Sequence, residues 1–369
     1  MLKSLFKKSF YYLRSVLIKR GLKKRLSTMP QADLTKEEKD LIRKQYDPLH
    51  LAYDWQWFRY YKFYHGYVNQ YFVPRDIWKT FEYSLNPKEL RFIQNKATLH
   101  RFIDKQYLPV TIINKFHGFI YDQDDRILSE QEATQRLLKH DTFVYKPTDL
   151  TGGGRGVKLV ELKTIEDKEA YIAEMLKGDF FICQELIQPS KRITRFNNGD
   201  KTVNTVRCFT LCLNGKVSVL SGFMRMGGGQ TFNDNASAKT AANLDPKTAN
   251  GYVGIKPSDG QLNEFCLYAA DLYTKYFYAP SGLLLKGEKL DFWKDITEVA
   301  VSLHQKLPML GFIAWDFTID ADEHPRIIEI NLDSQDVDDH QIFNGPIFKD
   351  YLQDIIHYTQ THPTPVVYG

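Results

Sequence analysis

Val144-Tyr145-Lys146-Pro147 sets a lysine at the end of a strand pattern, and Thr151-Gly152-Gly153-Gly154-Arg155-Gly156-Val157 places a glycine loop just after it. Glycines let backbone N–H groups approach phosphate oxygens, and the lysine supplies a compact positive charge. No Gly-Lys-Ser/Thr closes the loop, so it is not a Walker A sequence. A strand pattern follows instead of a helix, which excludes a Rossmann fingerprint. A phosphate-covering hairpin fits better; the simpler reading is a flexible turn beside a surface lysine.

The second group is Asp316 with Glu329 and Asn331. In Ile313-Ala314-Trp315-Asp316-Phe317-Thr318-Ile319-Asp320 the large apolar residues take the odd positions, so Asp316 points away from the face they form. In Ile328-Glu329-Ile330-Asn331-Leu332 the two polar residues share one face. A short polar turn separates the strands, which should pair. Two carboxylates and an amide oxygen would then meet on one face, a hard-oxygen set suited to Mg²⁺ bridging nucleotide phosphates. The competing reading is a solvated polar face.

Two further segments add polar groups. Phe181-Ile182-Cys183-Gln184-Glu185-Leu186-Ile187-Gln188 is an apolar strand with polar residues at its end. A strand linking two lobes can meet an adenine edge through its backbone, with a Glu or Gln beyond it reaching a ribose. Asn204-Thr205-Val206-Arg207 and Arg225 flank Asn214-Gly215, the strongest short hairpin signal. A two-residue turn places Asn204 opposite Arg225 and Arg207 opposite Gly222, with the arginines on opposite faces unless a bulge resets the register. Arg225, which leads into a long loop, is the arginine expected at the site.

The elements around these groups alternate. Helix is expected over Ala97–Lys105, over Ser129–Lys139 behind a Ser129/Glu132 capping box, and over Ile165–Leu176, Leu262–Tyr276 and Phe292–Lys306. Strands are expected over Pro109–Ile113, Thr142–Lys146, Val157–Glu161, Asp179–Ile187, Val203–Leu213, Lys216–Arg225, Phe312–Asp320 and Arg326–Leu332. Residues 226–260, rich in Gly, Asn and Ser, read as a long loop. Tyr53, Trp55, Trp57, Tyr60, Tyr61, Tyr64 and Tyr71 fall at helical spacing before them and read as core in preference to a sugar-stacking surface.

Composition narrows the class. The 369 residues are 43% hydrophobic and 25% charged, which excludes a disordered or collagen-like chain. No apolar run approaches the roughly 18 residues of a membrane span. Cys183, Cys208, Cys212 and Cys266 form no C-x-x-C pair, which argues against common zinc and redox spacings and for reduced cytosolic thiols. The net charge is +4, yet residues 1–32 carry nine basic residues and no acid, leaving −5 on the remainder. A body of that sign is a poor nucleic-acid binder. Leu2, Leu5, Phe6, Phe10, Leu13, Val16 and Leu17 give the basic segment helical spacing. It reads as an interfacial helix on an anionic membrane surface, or as a helix packed on the body or a solvated basic tail. Lysines interrupt any secretory-signal core and no small-residue cleavage site follows.

Taken in order, these motifs resemble the ATP-grasp superfamily and, more narrowly, the sugar-transfer associated ATP-grasp family, sometimes labelled as related to glutamate ligases. The likeness rests on Tyr145-Lys146-Pro147 with the glycine loop, Asn204-Thr205-Val206-Arg207, Arg225 before glycines, Asp234-Asn235, Trp315-Asp316 and Glu329-Ile330-Asn331, over roughly residues 96–350. It implies an α+β fold whose two lobes, residues 96–182 and 183–360, clamp MgATP. A helical region (31–95) and a basic helix (1–30) would precede them. It implies that Lys96, Lys146, Gly152, Gly153, Gly154, Arg155 and Gly156 hold ATP phosphates. Gln184, Glu185, Leu186 and Gln188 would hold the nucleoside, and Asp316, Glu329 and Asn331 one or two Mg²⁺. Asn204, Asp234 and Asn235 would meet substrate, with Arg225, Arg207 and Lys146 catalytic.

The implied activity is ATP-dependent carboxylate–amine ligation through an acylphosphate, in cell-surface polysaccharide (capsule) synthesis, in the cytoplasm and peripheral to the membrane. A kinase acting on a hydroxyl and a non-catalytic nucleotide-binding module are the alternatives. Departures are Ala314, where glycine is commoner, and Leu332-Asp333-Ser334, which lacks the usual proline. The acidic run Asp336, Asp338 and Asp339 either attracts an amine or is solvated.

Overall fold

A computed structural model describes residues 16–20, 23, 27–148, 155–199, 202–229, 249–268, 271–333 and 335–362. The N-terminal layer begins with α1 (Lys36–Tyr46), opened by a capping box in which Thr35 Oγ1 accepts from Glu38 N–H and Glu38 Oε2 accepts from Thr35 N–H. Helix α2 (Trp55–His65) is capped by Asp54 and stopped by left-handed Gly66; α3 (Arg75–Leu85) follows. The aromatic stripe is core, as expected: Trp57, Phe58, Tyr60, Tyr61 and Trp78 are all buried in one cluster.

The small lobe holds strands β1 (Thr111–Phe116), β2 (Phe119–Tyr121), β3 (Ile127–Leu128), β4 (Thr142–Pro147), β5 (Lys158–Glu161) and β6 (Phe181–Gln184). They form an antiparallel sheet in the order β3-β2-β1-β6-β4-β5. Helices α4 (Glu130–Leu137) and α5 (Lys168–Leu176) pack on it through Ala133, Leu137, Ile172 and Leu176. The Ser129/Glu132 capping box forms as expected. The helix expected over Ala97–Lys105 does not form; two 3₁₀ turns, Leu99–Arg101 and Lys105–Tyr107, stand there. Side chains take the backbone groups a helix would use: Asn95 Oδ1 accepts from Ala97 N–H, and Asn114 Nδ2 donates to Ala97 O.

The large lobe continues through α6 (Lys191–Thr194), β7 (Val206–Leu213), β8 (Lys216–Met226), β9 (Gly251–Ile255), β10 (Leu262–Tyr268) and β11 (Asp271–Tyr276). Then come α7 (Trp293–Gln305), β12 (Phe312–Ile319), β13 (Pro325–Asn331), α8 (Val337–Asn344) and α9 (Leu352–Thr361). Its seven strands run β11-β10-β9-β8-β7-β12-β13. Asn214 (φ 52°) and Gly215 (φ 71°) make the two-residue turn between β7 and β8.

Two expectations fail here. Leu262–Tyr276 is a strand pair and not a helix: its apolar residues fit a helical period, but pairing of β10 with β9 satisfies its backbone. Part of the expected 226–260 loop is β9, hydrogen-bonded to β8; residues 230–248 lie outside the described residues.

The two faces of this sheet differ. Cys208, Ile313, Trp315, Phe317 and Ile319 face α7. Phe209, Leu211, Phe312 and Ala314 face the N-terminal layer with α8 and α9. Asp316 and Arg207 alternate onto that second face and are buried under this roof, while Glu329 of the same polar face stays partly exposed. Asn86 fastens the roof: its Nδ2 donates to Phe312 O and Leu332 O, and its Oδ1 accepts from Phe312 N–H.

Candidate functional site

Asp316 lies at the centre of three adjacent strands, with Arg207 of β7 and Glu329 of β13 as its cross-strand partners. Arg207 Nε and Nη2 donate to Asp316 Oδ1 and Oδ2, both at 2.7 Å. Both residues are buried. Burial alone would lower the Arg207 pKa, but Asp316 outweighs it and holds the guanidinium well above its usual value. Asn331 Nδ2 donates to Asp316 Oδ2 at 3.4 Å, and Arg225 Nη1 lies 3.7 Å from the same oxygen.

Both arginines therefore face the site, which corrects the expectation of one. The pairing drifts by one residue between Phe209↔Ser221 and Thr210↔Val219, so Leu220 is extra. Beyond that bulge Arg207 stands opposite Phe223, and Arg225 N–H donates to Thr205 O. The Phe223 ring lies under both guanidinium groups, 5.9 and 5.7 Å from its centroid.

The small lobe contributes lysines. Lys96 Nζ is 3.1 Å from Glu329 Oε2. Lys146 Nζ donates to Gln184 Oε1 at 2.9 Å. Burial and neighbouring Lys96 push the Lys146 pKa down to about 8, against the opposing pull of Glu329. Burial would raise the Glu329 carboxyl, but Lys96 and Arg207 hold it well below the usual carboxylate range. Two lysines beside one carboxylate leave positive charge in excess there, which suits an anionic group.

Beyond Gln184 the chain crosses between lobes, with Glu185 N–H donating to Val110 O at 2.9 Å. A cavity of about 160 Å³ opens here, lined by Glu185, Leu186 and Gln188 with Leu108, Asp320 and Arg326. A smaller one beside it shares Leu108 and reaches Lys96, Gln184 and Ile328. Leu108, Thr111, Asp320 and Arg326 were not singled out from the sequence; only the fold brings them to this wall.

Other expected residues lie elsewhere. Gly152, Gly153, Gly154, Asp234 and Asn235 are outside the described residues. Arg155 is exposed beside Gly156, whose φ of 76° and whose Cβ position, 2.7 Å from Pro147 Cγ, admit only glycine. Asn204 is fully buried; its Nδ2 donates to Ile193 O and its Oδ1 accepts from Gly227 N–H, so it braces the base of the hairpin. The acidic run is not a solvated tail: Asp338 is fully buried against Arg75, and Asp336 meets Arg207.

As a cation site the donor types fit: Glu329 is partly exposed, Asn331 carries an amide oxygen two residues along the same strand, and Asp316 is gripped by Arg207. No group of three His, Cys, Asp or Glu is placed to hold a metal among the described residues. None of their helices is long and apolar enough to cross a membrane.

Two antiparallel α+β lobes that close lysines of one over carboxylates of the other define an ATP-grasp protein. Residues 78–357, more than half of the chain, match the sugar-transfer associated ATP-grasp family, and the protein belongs to it. No curated protein matches the chain.

Among solved structures it is similar to the ATP-grasp ligase PsnB complexed with a phosphomimetic variant of minimal precursor, Mg and ADP (15% identity, 74% of this chain and 61% of that one, TM-score 0.39). It is also similar to the ADP complex of PurK, an N5-carboxyaminoimidazole ribonucleotide synthetase (11%, 74% and 54%, 0.41). A third is the VanG D-Ala:D-Ser ligase from Enterococcus faecalis (14%, 74% and 62%, 0.39). The match spans less than two thirds of each of those chains.

Proposed function

We propose that the protein is an ADP-forming ligase that joins a carboxylate to an amine, with a glycan-linked or sugar-acid carboxylate as the substrate class. One observation carries this reading: Lys96, paired with Glu329, and Lys146, held on Gln184, come together beside the interlobe cavity. The family's association with sugar transfer supports the substrate class.

In this reading the nucleoside lies along Glu185–Gln188 and the phosphates lie on the two lysines. A substrate carboxylate oxygen attacks the γ-phosphorus, and ADP leaves. The amine then attacks the acyl carbon, sheds a proton, and phosphate departs. Arg225 supports the tetrahedral oxyanion. Glu329, Asn331 and Asp316 would hold Mg²⁺, which would supply charge neutralisation for the transferring phosphoryl group.

Hydroxylamine tests the reaction class. With ATP, a sugar acid and no amine, a hydroxamate should form while ADP accumulates; with amine, ADP and phosphate should appear in equal amounts beside an amide. Phosphate retained on the acceptor as a stable ester would replace the ligase with a kinase.

Lys146 predicts a proton signature for nucleotide binding. At pH 7 its amine is already charged, so ADP binding takes up almost no proton. At about pH 9 the amine is mostly neutral in the free protein, and phosphate charge favours the cation. Binding there should take up roughly one proton and weaken. Calorimetry in buffers of different ionisation enthalpy reads this directly. Equal uptake at both pH values would remove Lys146 from the phosphate site.

A further inference from the structure

The N-terminal layer reaches the site through two side chains. Arg75 opens α3 and is nearly buried. Its Nη1 donates to Asp338 Oδ1 at 2.8 Å, and its Nη2 lies 3.4 Å from Asp336 Oδ1. The other oxygen of Asp336 accepts from Arg207 Nη1 at 3.0 Å. A chain of alternating charge thus runs Arg75–Asp336–Arg207–Asp316, from the helical roof to the centre of the sheet.

Asp336 holds its place under strain. Its backbone is left-handed, φ 58° and ψ 45°, a conformation that costs a non-glycine residue about 1 kcal/mol. Such a residue persists where its surroundings over-determine it, here between two guanidinium groups. Arg207 needs that contact. Its Nε and Nη2 are committed to Asp316, and a planar fork held at its third nitrogen as well cannot rock about the pair.

We propose that Asp336 and Arg75 are positioning residues. They fix the plane of Arg207 and, through it, the direction of the Asp316 carboxylate toward Arg225 and Asn331. The inference rests on the ligase reading only for what the site then does; the positioning is a property of the four side chains.

Two substitutions isolate it. Asparagine accepts the left-handed backbone, so Asp336→Asn keeps the shape, removes the charge and replaces one of the two acceptor oxygens by an NH2 that cannot accept from a guanidinium. Arg75→Lys leaves a cation for buried Asp338 but loses the fork that spans both carboxylates; alanine there would take that cation away from Asp338.

In ¹⁵N-arginine-labelled protein the Arg207 Nε–H resonance is assigned by its loss in Arg207→Lys. It should exchange slowly in the wild type and at least about tenfold faster in each variant, at an almost unchanged melting temperature. ADP release from MgATP should fall about tenfold in kcat with KM for ATP unchanged. The double variant should be no worse than Asp336→Asn alone, because both act on one contact.

Wild-type exchange and kcat in Asp336→Asn would overturn the proposal, as would full additivity of the two substitutions. Formation of a phosphoester instead of an amide would remove the ligase reading and leave the Arg207 measurement standing.

Discussion

Glu329→Gln is expected to fold like the wild type and to lose ATP turnover by about 10²-fold or more, the scale of removing one charged group from a preorganised site. The side chain is partly exposed and keeps its shape as glutamine, so the sheet has little reason to change. Its charge does two things. It offers a hard oxygen beside Asn331, and it competes with phosphate for Lys96, 3.1 Å away. Removing the charge should therefore split the binding data. ADP without metal should bind more tightly, because Lys96 is released to it, while MgATP turnover collapses. Wild-type turnover in this variant would remove Glu329 from the chemistry, and weaker metal-free ADP binding would contradict the competition with Lys96.

Trp78→Ala carries the largest expected loss of stability. The indole is 1% exposed, stacks on Phe348 at 4.5 Å between centroids, and meets Phe312 edge-on at 4.7 Å. Its Nε1 donates to Gln335 Oε1 at 3.3 Å. Truncating a buried tryptophan costs about 3–5 kcal/mol, the lost burial plus the cavity left behind. A chain of this length should then melt roughly 5–10 °C lower. Phe312 belongs to the strand that carries Asp316, so ADP binding by the fraction still folded should also weaken. An unchanged melt would mean that the roof does not hold the sheet.

Local rules made much of this site legible, and non-local ones hid the rest. The common face of Asp316, Glu329 and Asn331 follows from strand alternation, which needs only a few residues of context. The Asn214-Gly215 turn is equally local. The facing of Arg207 could not be counted from that turn, because Leu220 inserts a residue that no periodicity announces. Leu262–Tyr276 satisfied a helical period until β9 supplied a partner. The Arg75–Asp336 contact joins residues 261 positions apart, and neither residue type marks it in the sequence. The same distance hides the burial of Asp316 and Arg207: their roof comes from the other end of the chain.

That roof has a consequence for biosynthesis. A ribosome makes the aromatic helices first, while the strand that Asn86 fastens lies 226 residues further on. Until β12 emerges, Trp78 and its neighbours have no sheet to cover, and apolar surface left waiting in this way draws chaperones or self-association. Contacts of such sequence separation also slow folding, since the loop must close before they contribute. The yield of this protein in a cell should depend on holdase capacity during translation more than on the stability of the finished fold.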